Sequence, residues 1–140
     1  SEDFGSDVLT RLKTGARVSG SQYAHARQEQ RRWQRQLKQT FERYDMLLAP
    51  TCGIPAPIIE ESEGVTTTRL LARFTYPLSL AQVPVLSVPC GFTEDQLPVG
   101  MQLLAPSWAE ARILRAAHAY QQATDWHLQK PIITTEAPKT

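Results

Sequence analysis

Three observations predict an α/β fold, part of a mixed sheet flanked by helices. Two short apolar runs, Pro84-Val85-Leu86-Ser87-Val88-Pro89-Cys90-Gly91-Phe92 and Gly100-Met101-Gln102-Leu103-Leu104, are bounded by Pro and Gly. A polar turn of Thr93, Glu94, Asp95 and Gln96 joins them, so they read as two buried strands. A long stretch, 22–43, holds neither Pro nor Gly and carries an apolar stripe at helical spacing. A second helical pattern follows the second run, and strand, strand, helix is the order of a sheet with helices packed on it.

Taken in order, residues 6–14 form a short helix with Val8, Leu9 and Leu12 on one side and Gly15 as its stop. Ser19 and Gln22 fit a capping box that starts the long helix. Its stripe runs Tyr23, Ala26, Gln30, Trp33, Leu37, Phe41 and Tyr44, with Gln30 the only polar member. Met46-Leu47-Leu48-Ala49 is a short strand ended by Pro50. Residues 51–57 add two further prolines and Gly53, which makes them an extended, ordered loop. In α/β proteins a loop at the C-terminal end of a strand is a usual place for ligands. Residues 60–68, with three acids and a threonine triplet, read as a mobile surface segment. Residues 70–75 form a helical turn, Tyr76-Pro77 breaks it, and Leu78-Ser79-Leu80-Ala81 leads into strand 85–89. Strand 99–104 follows, and both runs are apolar on both faces, as in strands covered by helices. Ser107 and Glu110 make a second capping box for helix 108–124, whose inner face is Ile113, Ala116, Ala117, Tyr120 and Thr124. Pro131 ends regular structure, and 132–140 reads as a flexible tail behind one unit, 1–131.

The 140 residues suit one domain, and a globule of this size buries roughly two-thirds of its unfolded surface. Hydrophobic residues at 41% and charged residues at 21% are incompatible with full disorder. A net charge of +1 provides no global field for nucleic acid or membrane. No apolar run approaches the ~18 residues of a membrane span. The acidic Ser1-Glu2-Asp3-Phe4 start is unlike a signal peptide, and a first residue other than Met fits a fragment or a processed chain. Cys52 and Cys90 form no C-x-x-C pair, and His25, His118 and His127 are not spaced with them as metal ligands. We expect reduced thiols in a cytoplasmic protein, with no metal and no cofactor.

The chain carries no G-x-S-x-G elbow, H-E-x-x-H, Walker sequence or G-x-G-x-x-G. His118 lies off the apolar face of its helix and His127 follows the helix end, so both read as surface histidines. Cys90 reads as a small packed thiol before Gly91, and Cys52 as a pocket-lining residue of the proline-rich loop rather than a nucleophile. Arg27, Arg31, Arg35 and Lys38 form a basic stripe beside the apolar one. A phosphate-contacting helix and a solvated flank both fit it, and the near-zero net charge favours the flank.

Several ordered motifs carry a resemblance. Arg11-Leu12, Gly15 and Tyr23-x-x-Ala26 lead to Tyr44-Asp45-Met46-Leu47-Leu48-Ala49-Pro50-Thr51. Leu80-Ala81-x-Val83-Pro84-x-Leu86-Ser87-Val88-Pro89-Cys90-Gly91 and Leu97-Pro98-Val99-Gly100-Met101-Gln102-Leu103 follow, and Ala117-x-Ala119-Tyr120-x-x-Ala123-Thr124-Asp125-Trp126-His127 comes last. In this order they resemble the C-terminal portion of the amidase signature family, from about Phe4 to Pro131. The resemblance implies a C-terminal fragment of that family's mixed sheet sandwiched by helices. It implies amide cleavage by a serine nucleophile, a second serine on a cis peptide and a lysine, with backbone donors for the oxyanion. The upstream signature that carries those serines is not in this sequence, and Lys13, Lys38, Lys130 and Lys139 sit in helical or tail contexts. No catalytic residue is therefore carried over, and the chain alone should not hydrolyse amides.

The family's reading makes the chain a sheet-completing segment that walls the pocket for a small-molecule amide with Thr51, Cys52, Gly53, Arg73 and Thr75. Two positions depart from the family. Gln82 stands where members often have Gly, which bears on a tight turn. Ala72 stands where amidotransferase A subunits resemble each other in an acid expected to hold glutamine's amino group. That favours a general amidase, with Arg73 meeting either a substrate carboxylate or a surface acid. The alternatives are the A subunit of a tRNA-dependent amidotransferase complex and a non-enzymatic structural remnant. A nucleic-acid partner is not favoured, and no membrane is expected. A segment that finishes a larger sheet leaves open edges, so the isolated chain should self-associate.

Overall fold

The structure, a computed structural model, describes residues 4–62 and 64–131. The tail expected at 132–140 lies outside the described residues. Helix α1 is Ser6–Gly15, and α2 is Gly20–Phe41. The capping box at the start of α2 forms as expected: the Ser19 hydroxyl accepts from the Gln22 backbone N–H, and the Gln22 side chain accepts from the Ser19 N–H. Strand β1 is Leu47–Pro50, α3 Val65–Leu71, α4 Tyr76–Ala81, β2 Val85–Phe92, β3 Pro98–Leu104 and α5 Glu110–Ala123. Single 3-10 turns stand at Ile59–Glu61 and Trp126–Leu128.

The three strands form one antiparallel sheet in the order β1-β3-β2. Leu48 faces Leu103 and Ala49 faces Gln102, while Leu86 faces Leu103 and Ser87 faces Gln102. A register shift between Pro89 and Gly91 bends β2 at its far end. The sheet's main core is Val88, Leu103, Ala105, Ile113 and Ala117, with Met46, Leu86, Met101, Ala116 and Tyr120 packed around it. This joins one face of β2 and β3 to the face of α5 expected from its helical spacing.

Three expectations need correction, at Tyr76-Pro77, at the Ser107 and Glu110 box and in the cover of the strands. Within the segment read as mobile surface, a 3-10 turn at Ile59–Glu61 and the first turn of α3 are regular, and Glu60, Ser62, Gly64 and Thr66 are exposed. Threonines are poor helix formers, but the Thr68 hydroxyl bonds back to the Gly64 carbonyl, and the Leu70 carbonyl is held by Gly53 N–H. Tyr76-Pro77 does not break a helix; it opens α4, because a proline in the first turn lacks only an N–H that the helix leaves unpaired there. Residues 78–81 are accordingly the end of α4, and they lead into β2 as expected.

The Ser107 and Glu110 box does not form. Trp108 takes a positive φ of 67°, so α5 starts at Glu110 with Ala109 as its uncapped N-cap. The strands are not covered on both faces: Val85 and Ser87 of β2 are exposed. The apolar stripe of α2 is also sealed only in part, with Gln30 and Leu37 buried, Trp33 and Phe41 half-buried, and Tyr23, Ala26 and Tyr44 exposed.

The polar member of that stripe proves structural. Gln30 Nε2 donates to the Leu80 carbonyl at 2.8 Å, and its Oε1 accepts from Arg27. One helical turn on, Trp33 Nε1 donates to the Pro77 carbonyl at 2.7 Å. These two side chains clip α2 to α4. The departure at Gln82 also has a place: it ends α4 in the left-handed conformation, φ 59° and ψ 42°, the position where helices favour glycine. Its Oε1 accepts from Gln34 Nε2 at 3.2 Å.

Candidate functional site

A hollow of about 410 Å³ opens at the C-terminal end of β1. Thr51, Cys52 and Gly53 form one wall with the prolines that follow, and Leu71, Pro98, Val99 and Gly100 close the others. Pro50 ends the regular strand, but the chain stays on the sheet for one more residue, because Thr51 N–H donates to the Gly100 carbonyl at 2.9 Å.

At the rim, the Thr51 and Ser87 hydroxyls share a hydrogen bond of 2.7 Å across β3. Gly100 makes that approach possible. A Cβ there would sit 3.0 Å from Thr51 Oγ1 and 3.2 Å from Ser87 Oγ. Gly53 is tighter still, since its Cβ would stand 2.4 Å from the Leu70 carbonyl oxygen. Its N–H donates to that oxygen at 3.2 Å, which seals the loop against the end of α3.

Thr51, Cys52 and Gly53 thus come together, and Arg73 borders them: its Cβ lies 3.5 Å from where a Gly53 side chain would begin. The Arg73 guanidinium rests 5.8 Å from the Phe74 ring centroid, and among the described residues it makes no ion pair. The Thr75 hydroxyl donates to the Ala72 carbonyl at 3.2 Å. Neither Arg73 nor Thr75 lines the hollow itself. Ser87 and Gly100 were missed from the sequence. The signal was present, since Ser87 is the one hydroxyl in an otherwise apolar run.

The Thr51–Ser87 pair has no histidine, lysine or carboxylate bonded to it among the described residues, and a hydroxyl without a base is a weak nucleophile. Both cysteines are free, Cys52 exposed at the hollow and Cys90 half-buried with its thiol toward the Val99 carbonyl at 3.6 Å. His118 and His127 are exposed, as expected. No helix among the described residues is long and apolar enough to cross a membrane.

The sequence model described as Amidase matches residues 1–114. The A subunit of glutamyl-tRNA(Gln) amidotransferase from Geobacillus kaustophilus is 40% identical over 139 residues, covering 95% of this chain and 28% of the relative. Its counterpart from Thermotoga maritima superposes with a TM-score of 0.66 at 31% identity, over 86% of this chain and 28% of that one. A protein of a vestigial complex, one that reveals the evolutionary origins of an s-triazine catabolic enzyme, superposes with a TM-score of 0.77. It is 29% identical and the match covers 87% of this chain and 28% of that one. The chain therefore spans little more than a quarter of the length of the relatives it matches.

Proposed function

This chain belongs to the amidase signature family, and from that premise we propose that it is the C-terminal section of an amide-hydrolysing enzyme. In this role it completes the sheet and walls the acyl pocket, while the serine and lysine machinery sits on preceding polypeptide. The observation that carries the reading is the hollow at the end of β1, built by Thr51, Cys52 and Gly53 against Val99 and Gly100. Arg73, exposed and free of an ion pair among the described residues, would meet an anionic group on the substrate. The two free thiols fit a cytoplasmic setting.

The test is a chimera in which this chain replaces the matching 139 residues of the Geobacillus kaustophilus relative. A folded chimera that releases ammonia or amine from simple amides supports the proposal; a folded chimera with no amide turnover overturns it. Purified chain alone should show none.

The names of the relatives favour a second reading, a part in a transamidation complex that handles tRNA. Arg31, Arg35 and Lys38 are all exposed on α2 and are available to phosphates. Reversing charge at Arg31 and Arg35 should then weaken RNA binding and flatten its salt dependence. Unchanged binding removes this reading.

In isolation the chain should self-associate. Tyr23 and Leu48, each 63% exposed, and Trp108, 93% exposed, put large apolar side chains in water, and β1 and β2 each leave one edge unpaired among the described residues. Light scattering that finds a compact monomer at high concentration would contradict this.

A further inference from the structure

We propose that Gln102 is a positioning residue that ties the loop walling the hollow to the connector beside it. It sits on the central strand and is 2% exposed, in a run whose other members are apolar or glycine. A side-chain amide offers two N–H donors on one nitrogen. Gln102 Nε2 directs them to two separate segments, the Pro50 carbonyl at 2.8 Å and the Phe74 carbonyl at 3.3 Å. Pro50 immediately precedes Thr51, and Phe74 stands between Arg73 and Thr75. One buried nitrogen therefore sets the height of the loop that carries Thr51, Cys52 and Gly53 and of the connector that carries Arg73 and Thr75.

No other residue type does this as well. Methionine or leucine fills the space but leaves both carbonyls without their donor, which costs more than a hydrogen bond contributes when present. Asparagine keeps the amide but falls short by one methylene. Glutamate has the shape but, when ionised, no donor at all. The loop is also fastened to the end of α3, through Gly53 N–H on the Leu70 carbonyl. Gln102 affects turnover only if the hollow is the acyl pocket proposed above; it orders the loop and the connector in either case.

The test is amide hydrogen exchange on the whole chain with Gln102→Met, which keeps the stem and removes the donor. The N–H groups of Thr51, Gly53 and Thr75 should exchange about tenfold faster or more, while those of the β2–β3 ladder around Val88 and Met101 keep their rates. Wild-type rates at all three positions overturn the proposal, and so does an equal loss across the ladder, which marks a merely structural residue. If the variant does not fold, the unaltered chain in low denaturant decides the matter. The three amides should open together with one denaturant dependence, and separate openings overturn the proposal. In the active chimera, Gln102→Met should raise KM more than it lowers kcat. A chimera without activity removes the proposed function but leaves the exchange result standing.

Discussion

The layer that α5 makes on β2 and β3 and the layer that α2 makes on α4 are joined in different ways. The first is apolar: Val88, Leu103, Ala105, Ile113 and Ala117 are all buried against one another. The second adds two polar clips, Gln30 to the Leu80 carbonyl and Trp33 to the Pro77 carbonyl, to the buried Leu37 of α2 and the buried Leu78 and Ala81 of α4. Much of the α2 stripe beyond them stays in water, including Tyr23. Apolar burial is non-directional and adds up over area, whereas a hydrogen bond contributes a net ~1 kcal/mol and fixes one geometry. The sheet layer is thus the more purely apolar of the two. The α2 layer is held in register with surface to spare, as a section spanning 28% of its relatives' length would be.

The largest expected effect bears on the apolar layer. Leu103→Ala, at a site 5% exposed, should cost about 3 kcal/mol and lower the unfolding midpoint of the whole chain. A loss confined to α2 would reverse the ranking of the two layers. Gly53→Ala tests the join between the proline-rich loop and α3, because its new methyl would meet the Leu70 carbonyl oxygen. It should cost about 2 kcal/mol and raise exchange at the end of α3.

Gln30→Met should cost about 1 to 2 kcal/mol by leaving the Leu80 carbonyl unpaired. Its signature is faster amide exchange in α2 and α4 with the sheet unchanged; equal loosening of the sheet would show that the layers open as one. Gln82→Gly should act in the opposite sense and least, adding about 0.5 kcal/mol by relieving the left-handed C-terminus of α4. Thermal unfolding measures it, and a destabilisation would mean that the Gln34 contact outweighs the backbone strain.

The elements that local chemistry dictates were legible in the sequence. Ser19 and Gln22 cap α2 as expected, and the Ile113, Ala117 face of α5 is the buried one. The proline-rich loop with Thr51, Cys52 and Gly53 does border a hollow. What was misread depended on backbone states that residue type does not fix. Trp108 at positive φ cancels the Ser107 box, and Pro77 lies where a helix begins rather than ends. The Thr51–Ser87 pair was not legible because its partners are 36 residues apart and meet only across β3.

By itself the sequence determined the family, the strands, the two long helices and the absence of the upstream signature, because periodicity, capping and ordered motifs are written along the chain. Only the tertiary structure decided what the lone glutamines do. Gln30 and Gln102 stand out in the sequence as polar residues in apolar patterns, and in the fold each has a backbone carbonyl for a partner, about 50 residues away in the chain. A buried amide must find such partners to be tolerated, and which carbonyls come within reach is settled by packing, not by neighbours in sequence.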